Sequence, residues 1–205
     1  RDARTAEVLD PLDEPGTDRP DEHSNWPRKL VLERLGDDPK WGGEYLVDIS
    51  TSRKRRQAAA WVGQMIEGCA ASGIEGVEFD NLDSWTRFDG TPLAKKVPFG
   101  KRDAVAFAEL LAARSHALGL AVGQKNTVEL NARMRARVGF DFVIAEECAR
   151  YHECGRYVKA YGDQVLVEGI MEQLSVEGGA VARHVDDYCA RAREYVRATG
   201  VDFFV

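Results

Sequence analysis

The stretch Gly73-Ile74-Glu75-Gly76-Val77-Glu78-Phe79-Asp80-Asn81 decides how this chain is read. It is an apolar, β-prone run that stops abruptly at an acid and an amide. Side chains alternate along a strand, so Val77 and Phe79 share one face and Glu78 and Asp80 the other. Asp80 closes the strand and Asn81 opens the loop. Parallel α/β proteins bind ligands outside the carboxyl ends of their strands, which makes two acids on one face there a candidate site. The same pair also fits a barrel interior in which neighbouring Lys or Arg side chains hold the acids.

The flanking sequence repeats the pattern. Tyr45–Ser50 reads as a strand with Asp48 near its end, and residues 120–125 as a strand ending in Lys125 and Asn126. Residues 140–146 end in Glu146, residues 164–168 end in Glu168, and 201–205 form a last strand. Helices fall between them. Trp26-Pro27 opens a short one that Gly36 stops, with Trp26 and Trp41 expected to pack. Thr51 or Ser52 caps the next, in which Ala58, Trp61, Val62, Met65, Ile66 and Cys69 recur at helical spacing. Asp103 is the expected cap of a helix with Phe107, Leu110, Leu111 and Leu118 on its core face, closed by Gly119. Further helices are predicted near 128–138, 152–161 and 180–198. Six strand–helix alternations imply a parallel sheet with crossover helices. Polar residues at most strand ends point to a (β/α) barrel of TIM type. An open nucleotide-binding sheet lacks support, since neither G-x-G-x-x-G nor G-x-x-x-x-G-K-[ST] occurs. A barrel needs eight strands, and six are legible.

Composition narrows the function. The 205 residues suit one domain, and 44% hydrophobic content suffices for a core. A net charge of -6 gives no electrostatic reason to expect nucleic acid. No apolar run approaches the roughly 18 residues of a membrane span. Arg1 reads as the start of a processed chain or an excised segment. Residues 1–25, with Pro11, Pro15, Gly16 and Pro20 among many acids, read as a polar segment, partly disordered, ahead of a barrel domain over 26–205. His23, His116, His152 and His184 do not form a metal-ligand spacing, and no G-x-S-x-G is present. Neither a catalytic metal nor a cofactor is expected. Cys148 and Cys154, in the loop leaving the Glu146 strand, are expected to form a disulfide, and Cys69 and Cys189, on helix faces, to stay free.

Five segments in order resemble the endo-α-1,4-polygalactosaminidase family of glycoside hydrolases: LVDIS at 46–50, GVEFDN at 76–81, GLAVGQKN at 119–126, FDFVIAEECARYHEC at 140–154 and VLVEG at 165–169. The resemblance runs from about Arg19 to the end of the chain. It implies a (β/α)8 barrel of which this sequence holds strands three to eight, the first two lying before Arg1. The acid of the family's E-P-D-N matches Asp80, flanked by Glu78 and Asn81, with Phe79 in place of Pro. The acid of its N-E-Q-C matches Glu146, with Ala145 and Glu147 replacing the flanking amides. Its G-L-K-N matches Gly123, Gln124, Lys125 and Asn126, and its V-E-Y matches Val167, Glu168 and Gly169, where an aromatic is lost.

The resemblance implies a secreted or extracytoplasmic enzyme acting on a galactosamine-rich polysaccharide. Glycosidic cleavage needs two carboxyl groups, one to protonate the leaving oxygen and one to act as nucleophile or to activate water. Asp80 and Glu146 fit, on strands two apart and hence with Cα atoms roughly 10 Å apart. Asp80 is read as nucleophile or base and Glu146 as acid. Asp48, Glu78, Asn81, Lys125, Asn126 and Glu168 are candidate substrate-binding groups, an acidic cleft suiting a cationic amino sugar. Trp85 and Tyr151 are candidates for stacking on a sugar ring, against an alternative role as lid anchors. Lys125 has three readings: neutralising the acids, contacting substrate, or forming a Schiff base in a lyase. A catalytically impaired carbohydrate-binding barrel is the alternative function, motivated by Ala145, Gly169 and the missing strands.

Overall fold

The computed structural model describes residues 26–148, 150–168 and 203–204. The expected polar segment 1–25, the helix over 180–198 with His184 and Cys189, and Gly169 lie outside them. Five strands form one parallel sheet: β1 (Gly76–Phe79), β2 (Ala121–Lys125), β3 (Phe142–Glu146), β4 (Val165–Glu168) and β5 (Phe203–Phe204). Each pairs in parallel with the next in sequence, in the order β1-β2-β3-β4-β5. The winding never reverses. That is the arrangement of a (β/α) barrel, whereas a doubly wound sheet turns back at a switch point. Among the described residues the sheet is an open arc.

Strand alternation sorts the residues of the arc. Val77, Phe79, Val122, Val143, Ala145 and Val165 are buried in the hydrophobic core. The other face carries Glu78, Lys125 and Glu146. α1 (Ser52–Ala71) precedes β1, and the crossover helices between the described strands are α2 (Lys101–Ala117), α3 (Ala132–Val138) and α4 (Cys154–Tyr161). Thr51 caps α1 by accepting from the Lys54 N–H at 3.2 Å. α1 buries Ala58, Ala59, Val62, Gly63 and Ile66. Gly63 lets the Arg114 side chain of α2 lie across α1, where a Cβ would come within 2.3 Å of its Nε. Among the described residues no helix is long and apolar enough to cross a membrane.

Several expectations change in detail. Residues 45–50 do not form a strand of the sheet. They pair antiparallel with the preceding segment through a Val31–Val47 bridge. Leu32 N–H donates to the Leu46 carbonyl at 2.8 Å and Asp48 N–H to the Leu30 carbonyl at 2.6 Å. The backbone groups of 46–48 that serve this pairing are spent on it. The short helix after Trp26 is two 3-10 turns, Arg28–Leu30 and Glu33–Leu35. Asp103 is not the cap of α2. Gly100 is, and Asp103 sits three residues in, its carboxylate accepting from the Gly100 N–H at 3.2 Å. α3 starts later than expected, at an Asn131 cap that accepts from Met134 N–H at 3.1 Å, because a turn intervenes after Asn126. Trp26 is buried as expected and lies 6.3 Å from Trp61 between ring centroids. Trp41 is 51% exposed, contrary to its expected packing role, because Asp38 ties the backbone of Lys40 and Trp41 into a surface turn.

Candidate active site

Lys125, the last residue of β2, organises the carboxyl end of the sheet. Its Nζ lies 3.0 Å from Glu146 Oε1, 3.4 Å from Asp80 Oδ2 and 3.8 Å from Glu78 Oε1. Acids from β1, from the residue after β1 and from β3 thus converge on one ammonium. All four side chains are between 15% and 21% exposed, shielded yet reachable from solvent. Among the described residues, three carboxylates face one ammonium here, an excess of negative charge when all are ionised.

The electrostatics follow from that crowding. Burial pushes the Asp80 carboxyl above its ordinary value, and the nearby Glu146 adds to the rise; Lys125 and the Asn81 N–H oppose it without cancelling it. Burial alone would lower the Lys125 pKa, yet Asp80, Glu146 and Glu78 together raise it well above its ordinary value. Lys125 is therefore a fixed cation at neutral pH. A Schiff-base lysine needs a neutral amine, so the lyase reading of Lys125 loses its physical basis.

The loops that leave the three strands share an unusual backbone. Asn81, Asn126, Thr127 and Glu147 have φ of 53°, 50°, 56° and 49°. These are left-handed values that cost a residue with a Cβ about 1–3 kcal/mol and that gather at functional sites. Each bend lies within two residues of the end of β1, β2 or β3, where the chain turns away from the sheet. Side-chain contacts hold the bends. Asn81 N–H donates to Asp80 Oδ1 at 2.7 Å. Arg87 donates to Asn81 Oδ1 and lies 3.5 Å from the buried Asp38 carboxylate. Asn126 clamps Glu146 twice: its Nδ2 donates to Glu146 Oε2 at 2.7 Å, and its Oδ1 accepts from the Glu146 N–H at 2.9 Å.

The remaining candidates divide. Glu78 joins the cluster. Asn81 and Asn126 sit at its rim as positioning groups. Asp48 is buried and engaged elsewhere, accepting from Ser50 N–H at 3.1 Å, Ser50 Oγ at 2.6 Å and Lys54 Nζ. Burial would raise its pKa, but these donors hold it below its ordinary value. Trp85 packs partly buried against the core, as a lid anchor would. Tyr151 is 57% exposed, with the Arg150 guanidinium 5.5 Å from its ring centroid. Glu168 ends β4 in register with Glu146, and its side chain lies outside what is described. A small open pocket adjoins Asp80 and Asn81, walled by residues such as Leu46, Ile49 and Phe107.

The two replacements around Glu146 acquire a meaning. Ala145 is fully buried in the core, on the face of β3 opposite Glu146. The charge of Glu147 is matched by Arg150, whose Nη1 lies 3.1 Å from each carboxylate oxygen. Cys148 and Cys154 form a disulfide with Cα atoms 4.9 Å apart, closing the loop just past Glu146, and Cys69 is a free thiol. Sequence reasoning missed Arg87, Gln124 and Thr127. A Gln on the core-facing side of a buried strand was the available signal for Gln124.

Comparison with known proteins agrees with this architecture. The model of glycoside-hydrolase family GH114 matches residues 16–196. The chain belongs to glycoside-hydrolase family GH114. Among solved structures it is similar to Aspergillus fumigatus Ega3 in complex with galactosamine, at 24% identity and a TM-score of 0.54. The match covers 71% of this chain and 55% of that one, so the chain spans little more than half of the Ega3 structure. At that identity the likeness speaks for the fold. No curated protein matches the chain significantly.

Proposed function

We propose that this GH114 member is a secreted hydrolase that cleaves α-1,4-linked, galactosamine-rich polysaccharide with two carboxyl groups, Asp80 and Glu146. The observation that carries the reading is the convergence of both on Lys125 Nζ, at 3.4 Å and 3.0 Å. Their nearest oxygens can be no farther apart than those two legs laid end to end. That limit lies between the roughly 5–5.5 Å of retaining enzymes and the roughly 6.5–9.5 Å of inverting ones, so both carboxyl groups reach one glycosidic bond and the separation is compatible with either course. In either course one carboxyl protonates the departing glycosidic oxygen, while the other attacks the anomeric carbon or deprotonates the water that does. Lys125 keeps the cluster from full anionic repulsion, and the acidic surplus suits a protonated amino sugar. The galactosamine bound in the Ega3 structure supports the choice of sugar.

Asp80 as nucleophile or base and Glu146 as acid is the assignment from sequence. A second reading exchanges them, because burial raises the Asp80 pKa, a property of a proton donor. Substrates with activated leaving groups separate the two: the variant lacking the acid keeps its glycosylation step on them, and the variant lacking the nucleophile does not.

The test of function is release of reducing ends from α-1,4-linked galactosamine polymer, run beside its fully acetylated counterpart. Release from the deacetylated polymer, weaker on the acetylated one, is expected. Binding without release would favour the alternative of a carbohydrate-binding barrel that has lost activity.

A further inference from the structure

Gln124 lies one residue before Lys125 on β2 and faces the opposite way. It is fully buried, and every polar atom of its side chain is engaged. Its Nε2 donates to the Asn126 carbonyl at 2.6 Å and to the Thr127 carbonyl at 3.1 Å. Its Oε1 accepts from the Tyr161 hydroxyl of α4 at 2.7 Å. Tyr161 is itself held, with the Arg135 guanidinium 4.3 Å from its ring centroid. Arg135 is anchored in turn on the Phe140 carbonyl at 3.2 Å and the Ala160 carbonyl at 2.9 Å.

The two carbonyls that Gln124 binds belong to the paired left-handed residues after β2, at φ 50° and 56°. Thr127 is β-branched, for which this conformation is a genuine outlier. A strained turn persists only where its surroundings over-determine it. The Gln124 amide is that constraint on the core side. On the opposite side the same turn aims the Asn126 amide at Glu146, which it grips by both backbone and carboxylate.

We propose that Gln124 is a positioning residue for catalysis: from the core side of the sheet it fixes the Asn126–Thr127 turn, and through Asn126 it sets the place of the Glu146 carboxylate. This rests on the reading of Glu146 as a reacting group. Gln124 does not touch substrate. Its action on the reaction runs through one neighbour, so its removal and that of Asn126 are not independent. The Tyr161 hydroxyl stays protonated because burial raises its pKa, so the relay keeps its donor across the working pH range.

The test is a double-mutant cycle on steady-state hydrolysis of the galactosamine polymer. Gln124→Met keeps length and volume but removes the donors. It is expected to lower kcat by about 10- to 100-fold, the scale of a misplaced reacting group, with KM changed less than about twofold. Asn126→Ala is expected to lower kcat similarly, and the double variant to lose no more than the worse single one. Additive losses in the double variant, or a kcat within twofold of wild type in Gln124→Met, would overturn the proposal. Where Gln124→Met fails to fold, Tyr161→Phe takes its place. It is expected to lower kcat several-fold with the same coupling to Asn126→Ala, and an unchanged kcat overturns the proposal. Glu146→Gln run alongside tells two failures apart. Near wild-type turnover in it sinks the site assignment and this inference together. Dead Glu146→Gln with unaffected Gln124→Met sinks the inference alone.

Discussion

Replacing Lys125 with Met removes the cation on which Asp80, Glu146 and Glu78 converge, at 3.4, 3.0 and 3.8 Å, and keeps most of the aliphatic stem. Breaking a buried ion pair from one side costs about 3–5 kcal/mol, because the remaining charge is left without compensation. Here the acids retain 15–21% exposure, so water screens part of the loss and about 2–3 kcal/mol is expected. For a chain of this size that lowers Tm by about 4–12 °C. The loss is electrostatic and must therefore depend on pH. At pH 7 the three carboxylates repel one another in the variant, and the difference from wild type shrinks as falling pH protonates Asp80, whose pKa burial raises. Asp80, already raised by burial, rises further without Lys125, so any step needing ionised Asp80 has its acid limb moved to higher pH. Thermal melts of both proteins between about pH 3 and pH 7, with pH–rate profiles, measure this. A Tm difference constant across that range would mean that Lys125 contributes packing and not charge, and the reasoning about the cluster would fail.

Two further outcomes are expected. Asp80→Asn should be at least as stable as wild type at pH 7. A carboxyl whose folded pKa is raised binds its proton more tightly when folded, so ionised Asp80 is a net cost at neutral pH. Any gain should disappear as pH falls through the raised pKa towards the unfolded value of 3.8, and a variant markedly less stable at pH 7 would contradict the cause assigned to the shift. Replacing Cys148 and Cys154 together with Ala should cost about 2 kcal/mol by the loop-length model, given a separation of six residues. Label on either of these cysteines after alkylation without reductant, read by peptide mass mapping, would remove the bridge.

Much of this architecture was legible in the sequence, for physical reasons. β1 to β4 announce themselves as short apolar runs ending in a charge, and parallel strands buried on the helix side require such runs. Asp80, Lys125 and Glu146 were legible because strand alternation puts side chains at strand ends on a known face. The segment 45–50 has the same local pattern and yet pairs antiparallel with residues 30–32, since local pattern does not encode the partner. Asp48 looked like a site acid for the same reason, and Lys54, one helical turn into α1, claims it. The left-handed bends at Thr127 and Glu147 had no local signal, because neither is a residue type that seeks that conformation. Tertiary hydrogen bonds, from Gln124 in the first case, impose it.

Turnover in the isosteric amides decides whether Asp80 and Glu146 are the two carboxyl groups of a glycosidase. Asp80→Asn and Glu146→Gln remove ionisation and leave shape, so circular dichroism and melting should report a folded chain in each. Reducing-end release from the galactosamine polymer should fall by at least about 10²-fold in both, the scale of lost acid–base or nucleophilic chemistry. Near wild-type release by either folded variant would contradict the claim and move the search to Glu78 and Glu147.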